Sequence, residues 1–320
     1  MFPSADPAGG ASLPPGGRAL SSPPSPTARL RRVRHESVLG RWETVWRRPR
    51  PDLRRFVAGY LGYDERGRGF RLRRELPSGL ITLVVGFEPS VRVLGGEQPC
   101  CGTGTQGVGG GLRRQVFVTG VQDRYRLTET APVSSGVLVR FTPVGARFFL
   151  GLPMHLLANR AVGAEELLDA ALLRRLTALA ERSGWEERFT VLDTLLSEGL
   201  VTGSAGGAPS PAERAWEELR RCGGRVAVRD LAEGAGCSHK HLIDQFREQI
   251  GLPPKALSQV LRFRTAVGLI NSGASLADIA LTCGYADQSH LSRAFSRYAG
   301  RSPSAFSRTW LPDGGGLRAD

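Results

Sequence analysis

Asp278-Ile-Ala-Leu-Thr-Cys-Gly284 is one half of a pattern that occurs twice in this chain. The other copy, Asp230-Leu-Ala-Glu-Gly-Ala-Gly236, lies 48 residues earlier. Both copies continue with a Leu-x3-Phe pair and a Gly-x2-Pro sequence, for which the offset is 49 residues. A repeat of this length is typical of one supersecondary unit that is used twice.

Each copy has the residues of a helix, a sharp turn and a second helix. In the first copy, Ala232 is small enough for two helices to cross closely, and Gly236 supplies the positive φ that a tight turn requires. Ser238 then stands where an N-cap is preferred, and Asp287 takes this position in the second copy. The Leu-x3-Phe pair gives the second helix one apolar stripe to bury. The pattern therefore predicts two helix-turn-helix units.

A connecting segment joins the two units. Pro254 is a helix-start signal, and residues near helical period follow it as far as Ile270. We expect a rigid helix that ends at 271–273 and separates the two second helices by roughly 34 Å, one turn of DNA. A helical bundle without a DNA-binding role would explain one copy of the pattern, but two copies that share four features are hard to obtain by chance.

The second copy is very similar to the signature of a known family. Residues 276–295 and the sequence Gly300-Arg-Ser-Pro303 resemble the second unit of the AraC/XylS family of bacterial transcription regulators. The resemblance covers about residues 212–310. It implies a seven-helix domain whose second helices, at 238–249 and 287–298, enter adjacent major-groove segments of double-stranded promoter DNA.

The resemblance also implies which residues contact DNA. The expected DNA-binding residues are Ser238, Lys240, Ile243, Asp244, Arg247, Gln288, Ser289, Ser292, Arg293 and Arg297. Arg293 is expected to pair with guanine, a contact that provides about 1–3 kcal/mol of discrimination. Arg247 and Arg297, with Arg262 and Arg264, fit phosphate contacts or surface charge. Asp244 departs from the family pattern. Its carboxylate either accepts a hydrogen bond from a cytosine amino group or weakens DNA binding by the first unit.

The N-terminal half has a different pattern. Short β-type runs bounded by Gly and Pro, at 80–87, 91–94, 115–120 and 135–142, predict a β-sandwich or barrel. We expect a helix or an edge element at 51–60, a mobile loop at 95–114 and helices at 164–176 and 185–196. Residues 139–153 and 75–83 resemble, less closely, the sensory region of some actinobacterial AraC-like regulators, which implies a cupin-like barrel.

The fold class expected is α+β, with a β-rich, cupin-like barrel or sandwich, a helical connector and an all-α domain of seven helices with two helix-turn-helix units. The expected division is a disordered leader at 1–37, a sensory domain at 38–150, a connector at 151–201, a flexible linker at 202–211, the DNA-binding domain at 212–310 and a tail at 311–320.

Charge and cysteine content are consistent with this interpretation without establishing it. The net charge is +13, which favours a polyanionic partner. However, only Lys240 and Lys255 are lysines among 43 basic residues, and this arginine bias is typical of a GC-rich genome. The cysteines (Cys100, Cys101, Cys222, Cys237 and Cys283) match no zinc pattern, although the adjacent pair is a candidate redox sensor. We expect a cytoplasmic protein without a membrane segment.

The same residues argue against an enzyme. Three of the five histidines (His239, His241 and His290) fall in the second helices, so no strand carries a two-histidine metal motif. We expect no metal and no cofactor. The aromatic residues Trp42, Trp46, Phe87, Phe117, Tyr125 and Phe141 either hold an apolar ligand or form the core.

The hypothesis is a one-component regulator with a small-molecule effector at its N-terminal domain and with RNA polymerase as a partner if it activates transcription. The helices of 164–196 either form a homodimer interface or pack on their own domain. The competing hypothesis is a ligand-binding or scaffold protein whose helical domain has lost specific DNA binding, and Asp244 is the feature that favours it.

Overall fold

A computed structural model describes residues 30–37, 40–94, 111–201, 208–270, 274–309 and 317–318. We call residues 30–201 the N-terminal part and residues 208–309 the C-terminal part. The strands are β1 (Arg31–Ser37), β2 (Gly40–Arg47), β3 (Val57–Gly67), β4 (Arg71–Glu75), β5 (Ile81–Gly86), β6 (Val91–Val93), β7 (Leu112–Arg113), β8 (Val116–Thr119), β9 (Arg126–Thr130), β10 (Val133–Phe141), β11 (Ala161–Gly163) and β12 (Leu317–Arg318).

The strands form two antiparallel sheets. One has the order β1-β2-β3-β10-β5-β8-β11, and the other has the order β12-β4-β9-β6-β7. β5 lies between β10 and β8 and is buried along most of its length, which explains its nearly continuous apolar sequence. The four strands predicted from the β-type runs are confirmed as β5, β6, β8 and β10.

Three helices cover one face of the larger sheet. They are α1 (Pro143–Leu150), α2 (Ala170–Thr177) and α3 (Trp185–Val201). Alternation along β10 places Val137, Val139 and Phe141 on the buried face, where Phe141 stacks on Phe149 of α1 with ring centroids 5.1 Å apart. Phe189 of α3 stacks on Tyr60 of the sheet at 5.6 Å. The apolar face of the sheet thus selects where the helices lie.

A buried ion pair also joins α3 to the sheet. The guanidinium of Arg47 on β2 contacts the carboxylate of Asp193, and both side chains are almost fully buried. The hydroxyl of Tyr60 donates to Asp193 Oδ1 at 2.8 Å. Burial lowers the pKa of Arg47 and raises that of Tyr60. Because these groups are withdrawn from water, each depends on its partners here.

The C-terminal part is helical. Its elements are α4 (Pro211–Arg221), α5 (Val228–Gly234), α6 (His239–Ile250), α7 (Pro254–Ile270), α8 (Leu276–Thr282), α9 (Gln288–Ala299) and α10 (Pro303–Thr309). Within the described residues these are the seven helices expected, and α5–α6 and α8–α9 are the two helix-turn-helix units. The α+β class is confirmed.

The predicted turn and cap residues have the expected geometry. Ser238 accepts from the backbone N–H of His241, and Asp287 accepts from that of His290, so both are N-caps. Gly236 and Gly284 have φ of +65° and +73° at the turns. Glycine adopts this left-handed conformation without the strain that a Cβ would cause.

Replacing Gly284 by alanine is expected to lower the free energy of unfolding by about 1 kcal/mol, because its positive φ strains any residue with a Cβ. The space itself is open, since an added Cβ meets nothing closer than 3.7 Å. Gly268→Ala in α7 is the matched control: it adds a methyl group to open space in helical backbone, and should raise stability by about 0.5–1 kcal/mol. Urea denaturation measures the free energy of unfolding of both variants. Equal effects would contradict the assignment of the loss to the positive φ of Gly284.

Three expectations need correction. Residues 31–37, expected within a disordered leader, form β1, where Arg31 covers the ring of Trp46. Residues 51–60 form a 3-10 turn at Pro51–Leu53 and the start of β3, which is an internal strand. The helix expected from 164 begins at Ala170, because the side chain of Asp169 caps it. In the tail, β12 pairs with β4. Most of the loop expected at 95–114 lies outside the described residues.

Candidate nucleic-acid interface

The second helix of each unit has one buried face and one exposed face. Leu242 and Phe246 on α6 are fully buried, as are Leu291 and Phe295 on α9. These side chains recur every four residues, so they form one stripe and turn the remaining polar positions outward. We call α6 and α9 the reading helices, and their polar positions the reading faces.

On α6, most of the expected residues are exposed. Lys240, Asp244 and Arg247 are exposed and follow one another at helical spacing. Ile243 is half-buried, and Ser238 is exposed while its hydroxyl caps the helix. The structure therefore brings a cation, a carboxylate and a second cation onto one face, so that Asp244 lies between two basic neighbours.

On α9, Ser289, Arg293 and Arg297 are exposed and recur every four residues along the helix. Gln288 is exposed, and Ser292 is half-buried. This face carries two arginines and two hydroxyls, which are groups suited to phosphates and to the acceptor edge of guanine.

The C-terminal ends of both reading helices pack against the N-terminal part. Gly251, which ends α6, lies against Met154 and Val121, and no Cβ would fit there. Gly300, which ends α9, lies in the same way against Tyr125. Ion pairs reinforce this junction, among them Arg55 with Glu213 at 2.6 Å and Arg147 with Glu248 at 3.3 Å.

One expected phosphate contact is held by a carboxylate of the N-terminal part. Arg297 Nη2 of α9 lies 3.4 Å from Asp123 Oδ2, and the arginine side chain remains 55% exposed. Asp123 also receives Nε of Arg124 at 3.1 Å. Asp123 therefore accepts from one nitrogen of this guanidinium, and a phosphate oxygen would have to compete with it there.

The other two expected phosphate contacts, Arg262 and Arg264, are placed differently. Arg262 donates to the carbonyl oxygens of Cys283, at 2.8 Å, and Gly284, and its guanidinium lies 4.5 Å above the ring centre of Tyr285. It therefore holds the turn of the second unit against α7. Burial lowers the pKa of Arg264 to about 10. The sequence already indicated this burial, since Arg264 falls among the apolar residues that recur at helical spacing along α7.

The aromatic residues expected around a ligand do not meet at one place. Phe141 packs on α1, and Phe87 stacks on Trp185 of α3 at 6.1 Å. Phe117 belongs to a small buried cluster with Val84, and Tyr125 covers the end of α9. These positions are those of core and junction residues, so the apolar-ligand alternative has no support from their placement.

Cys100 and Cys101, the candidate redox pair, lie outside the described residues. Cys283 is buried, and burial raises the pKa of its thiol. Within the described ranges, no group of three or more His, Cys, Asp or Glu side chains is arranged to hold a metal ion. In the same ranges, no helix combines the length and the apolar character required to cross a membrane.

Comparisons with known families match two regions. Residues 231–309 match a family described as "Helix-turn-helix domain", and residues 47–163 match "Domain of unknown function (DUF6597)". Over 66 residues the chain is 35% identical to "Uncharacterized HTH-type transcriptional regulator YbfI" of Bacillus subtilis strain 168. This match spans 21% of the chain and 24% of the length of that relative.

Solved structures of ToxT from Vibrio cholerae are also similar. ToxT of strain O395 has 13% identity and a TM-score of 0.41, over 77% of this chain and 95% of that one. ToxT of strain SCE256 bound to an unsaturated fatty acid has 12% identity and a TM-score of 0.40, over 76% and 92%.

The repeated units, their caps and the family match define the C-terminal part as a tandem helix-turn-helix domain of the kind that binds DNA. The residues of its second unit resemble the AraC/XylS family, and the matches to the helix-turn-helix family and to a helix-turn-helix regulator support this resemblance.

Proposed function

We propose that this chain is a regulator that binds promoter DNA with both reading helices and is controlled through its N-terminal part. α6 and α9 enter adjacent major-groove segments, and their reading faces supply the base and phosphate contacts. The proposed contacts are those expected from the sequence, with Arg293 as the principal base contact and Arg247 as a phosphate contact. The proposed DNA-binding domain spans residues 212–310.

One observation carries this proposal. Both reading faces are exposed, whereas the apolar stripe of each reading helix and its C-terminal end are buried. The two polar helix faces occupy equivalent positions in a repeated unit. They therefore suit a ligand with a repeating surface, such as duplex DNA, whose major groove recurs at every helical turn. The proximity of Lys240 and Arg247 to Asp244 lessens the repulsion between this carboxylate and phosphate.

Binding to the DNA upstream of its own gene tests the proposal. We expect an affinity for this DNA that exceeds the affinity for random duplex and falls steeply between about 50 and 200 mM salt, because phosphate contacts release counterions. Equal, weak binding to both DNAs would reject sequence-specific regulation and favour the scaffold alternative.

Replacing Asp123 by asparagine is expected to raise DNA affinity up to about fivefold, since an exposed ion pair contributes roughly 0.2–1 kcal/mol. The change releases Arg297 for a phosphate. Fluorescence anisotropy with a labelled operator fragment gives the affinity. Asp52→Asn is the matched control, because it removes the same charge from an exposed residue of the N-terminal part that pairs with Arg50. A similar gain in both variants would mean that net charge alone is responsible.

A further inference from the structure

One loop of the N-terminal part touches the C-terminal ends of both reading helices. The loop connects β8 to β9 and comprises residues 120–125, and we call it the bridging loop. Val121 lies against Gly251 at the end of α6, and Tyr125 lies against Gly300 at the end of α9. Because Val121 and Tyr125 are four residues apart, a short segment of chain links the two helix-turn-helix units by a path separate from α7.

Both contacts require a glycine on the reading helix. A Cβ atom at Gly251 would lie 2.9 Å from Val121 Cγ2, and one at Gly300 would lie 2.8 Å from Tyr125 Cε1. Non-bonded carbon atoms pack at about 3.5–4.0 Å, so a larger residue would push the bridging loop away. The same glycines have φ of +98° and +67° and end their helices. The helix ends and the bridging loop therefore fit each other closely.

The bridging loop is held from behind by the segment that precedes β11. The backbone N–H of Asn159 donates to the carbonyl of Val121 at 2.8 Å, and its Oδ1 accepts from the N–H of Asp123 at 3.0 Å. Asn159 has φ of +58°, the one positive value outside glycine in the described part of the chain. Such a conformation persists only where its surroundings require it, so the bridging loop has a defined shape.

Each contact is also supported from the side. The guanidinium of Arg74 on β4 lies 5.7 Å from the ring centre of Tyr125, which favours one position of this ring. Val121 and Met154 are each 1% exposed, and a Cβ at Gly251 would lie 2.8 Å from the carbonyl oxygen of Met154. The ends of α6 and α9 thus meet packed surfaces on which they have little room to slide.

The two reading helices do not share a core that would fix their relative position. Leu242 and Phe246 of α6 belong to the large apolar cluster of the N-terminal part, which includes Val121. Leu291 and Phe295 of α9 belong to a second cluster, with residues of α7, α8 and α10. Because the apolar contacts of the two units are separate, a further contact is needed to hold α9 at one angle to α6.

The ion pair between the bridging loop and α9 is less important for this position. Arg297 is 55% exposed where it meets Asp123, and exposed ion pairs are weak and screened by salt. The packing of Val121 and Tyr125 against backbone without side chains is close and directional. Loss of the Asp123 charge therefore frees Arg297 without releasing the helix ends.

We infer that the bridging loop is a positioning element: Val121 and Tyr125 fix the separation and the angle of the two reading helices. The loop thereby determines which spacing the protein accepts between the two DNA segments that α6 and α9 contact. We call these segments the subsites. The inference rests on the proposed function only in taking duplex DNA as the ligand whose spacing is read.

The geometry of duplex DNA makes such positioning consequential. One base pair inserted between the subsites moves them apart by about 3.4 Å and rotates one about the axis by roughly 36°. Two helices held at a fixed angle cannot follow this rotation without losing contacts. Helices released from the bridging loop could follow it, so the preference for one spacing would weaken.

The test with DNA compares subsite spacings. The probes are three labelled duplexes from the DNA upstream of the chain's own gene: the footprinted site, and this site with one or two base pairs inserted between the subsites. Fluorescence anisotropy gives the affinities of the full-length wild type, Gly300→Ala, Tyr125→Ala and Gly151→Ala. We expect the wild type to prefer the native spacing, and Gly300→Ala and Tyr125→Ala to reduce this preference about two- to thirty-fold.

Gly151→Ala separates the contact from backbone strain. Gly151 ends α1 with φ of +66°, nearly the value at Gly300, but an added Cβ there meets nothing within 4 Å. It bears the same strain as Gly300→Ala without displacing the bridging loop, and should keep the wild-type spacing preference. Tyr125→Ala is the complementary variant, because it removes the contact without straining the backbone.

A measurement without DNA separates this inference from the proposed function. Spin labels are placed at His241 on α6 and Ser296 on α9, which are exposed and lie outside the proposed DNA contacts. Pulsed electron spin resonance on the full chain gives the distance between the labels. The wild type and Gly151→Ala should show one narrow distance distribution, and Gly300→Ala and Tyr125→Ala a shifted or broader one.

The outcomes divide clearly. The inference is overturned if Gly300→Ala and Tyr125→Ala keep the wild-type distance and spacing preference, or if Gly151→Ala changes them as much. Equal binding of the wild type to all three spacings also overturns it. If Gly300→Ala does not fold, Tyr125→Ala gives the answer. If the wild type does not bind the upstream DNA, the regulator proposal fails, and the distance measurement still decides whether the bridging loop positions the helices.

Discussion

Arg293→Ala is expected to weaken binding to the specific DNA by roughly five- to over a hundred-fold, while binding to random DNA changes little. The reason is that a bidentate arginine–guanine contact provides about 1–3 kcal/mol of discrimination between bases. Arg293 is exposed at the centre of the reading face of α9, between Ser289 and Arg297. Fluorescence anisotropy with specific and random duplexes gives both affinities.

Two further variants distinguish base contact from charge. Arg247→Ala, at a proposed phosphate contact, should weaken specific and random binding alike and reduce the salt slope by about one. Arg175→Ala removes an exposed arginine of α2 that pairs with Glu198, and it should leave both affinities unchanged. If Arg293→Ala lowers the two affinities equally, then α9 contributes charge and does not read sequence.

Asp193→Ala is expected to lower the free energy of unfolding by about 3–5 kcal/mol, because it removes the buried carboxylate that neutralises a buried cation. Arg47 and Asp193 are 6% and 2% exposed, so water does not replace the lost carboxylate. Tyr60 loses its acceptor in the same variant. Denaturant unfolding followed by circular dichroism gives the free energy.

The matched control removes the other acid that faces the same arginine. Glu186 contacts Arg47 at 3.4 Å, but its side chain is 64% exposed. Glu186→Ala should therefore cost no more than about 1 kcal/mol. Similar losses in the two variants would mean that burial of the pair does not determine its contribution.

Local residue chemistry was sufficient to predict the helix-turn-helix units. The turns need glycine at positive φ, the second helices need Ser238 and Asp287 as caps, and the apolar stripe needs four-residue spacing. These requirements act within a few residues along the chain, so they are visible in the sequence. The exposed reading faces follow from the same spacing, and the DNA contacts assigned to them stay predictions.

Predictions were weaker where distant residues decide the structure. Residues 31–37 have the composition of a disordered leader, but they form a strand. The edge of β2 supplies backbone partners for this strand, and the guanidinium of Arg31 packs over the ring of Trp46. Arg264 was expected at the surface because it is charged, but α7 packs against the N-terminal part and leaves this residue only partly exposed. In both cases the deciding partner lies elsewhere in the chain.

The sequence by itself determined the repeated helix-turn-helix units, the β-rich character of the N-terminal half and the identity of the reading faces. Only the tertiary structure decided that Asp193 neutralises Arg47 and that Asp123 holds Arg297. The physical reason is the distance along the chain over which each interaction acts. Caps, turns and periodicity depend on neighbours a few residues away, whereas burial and charge pairing depend on which faces come together when the chain folds.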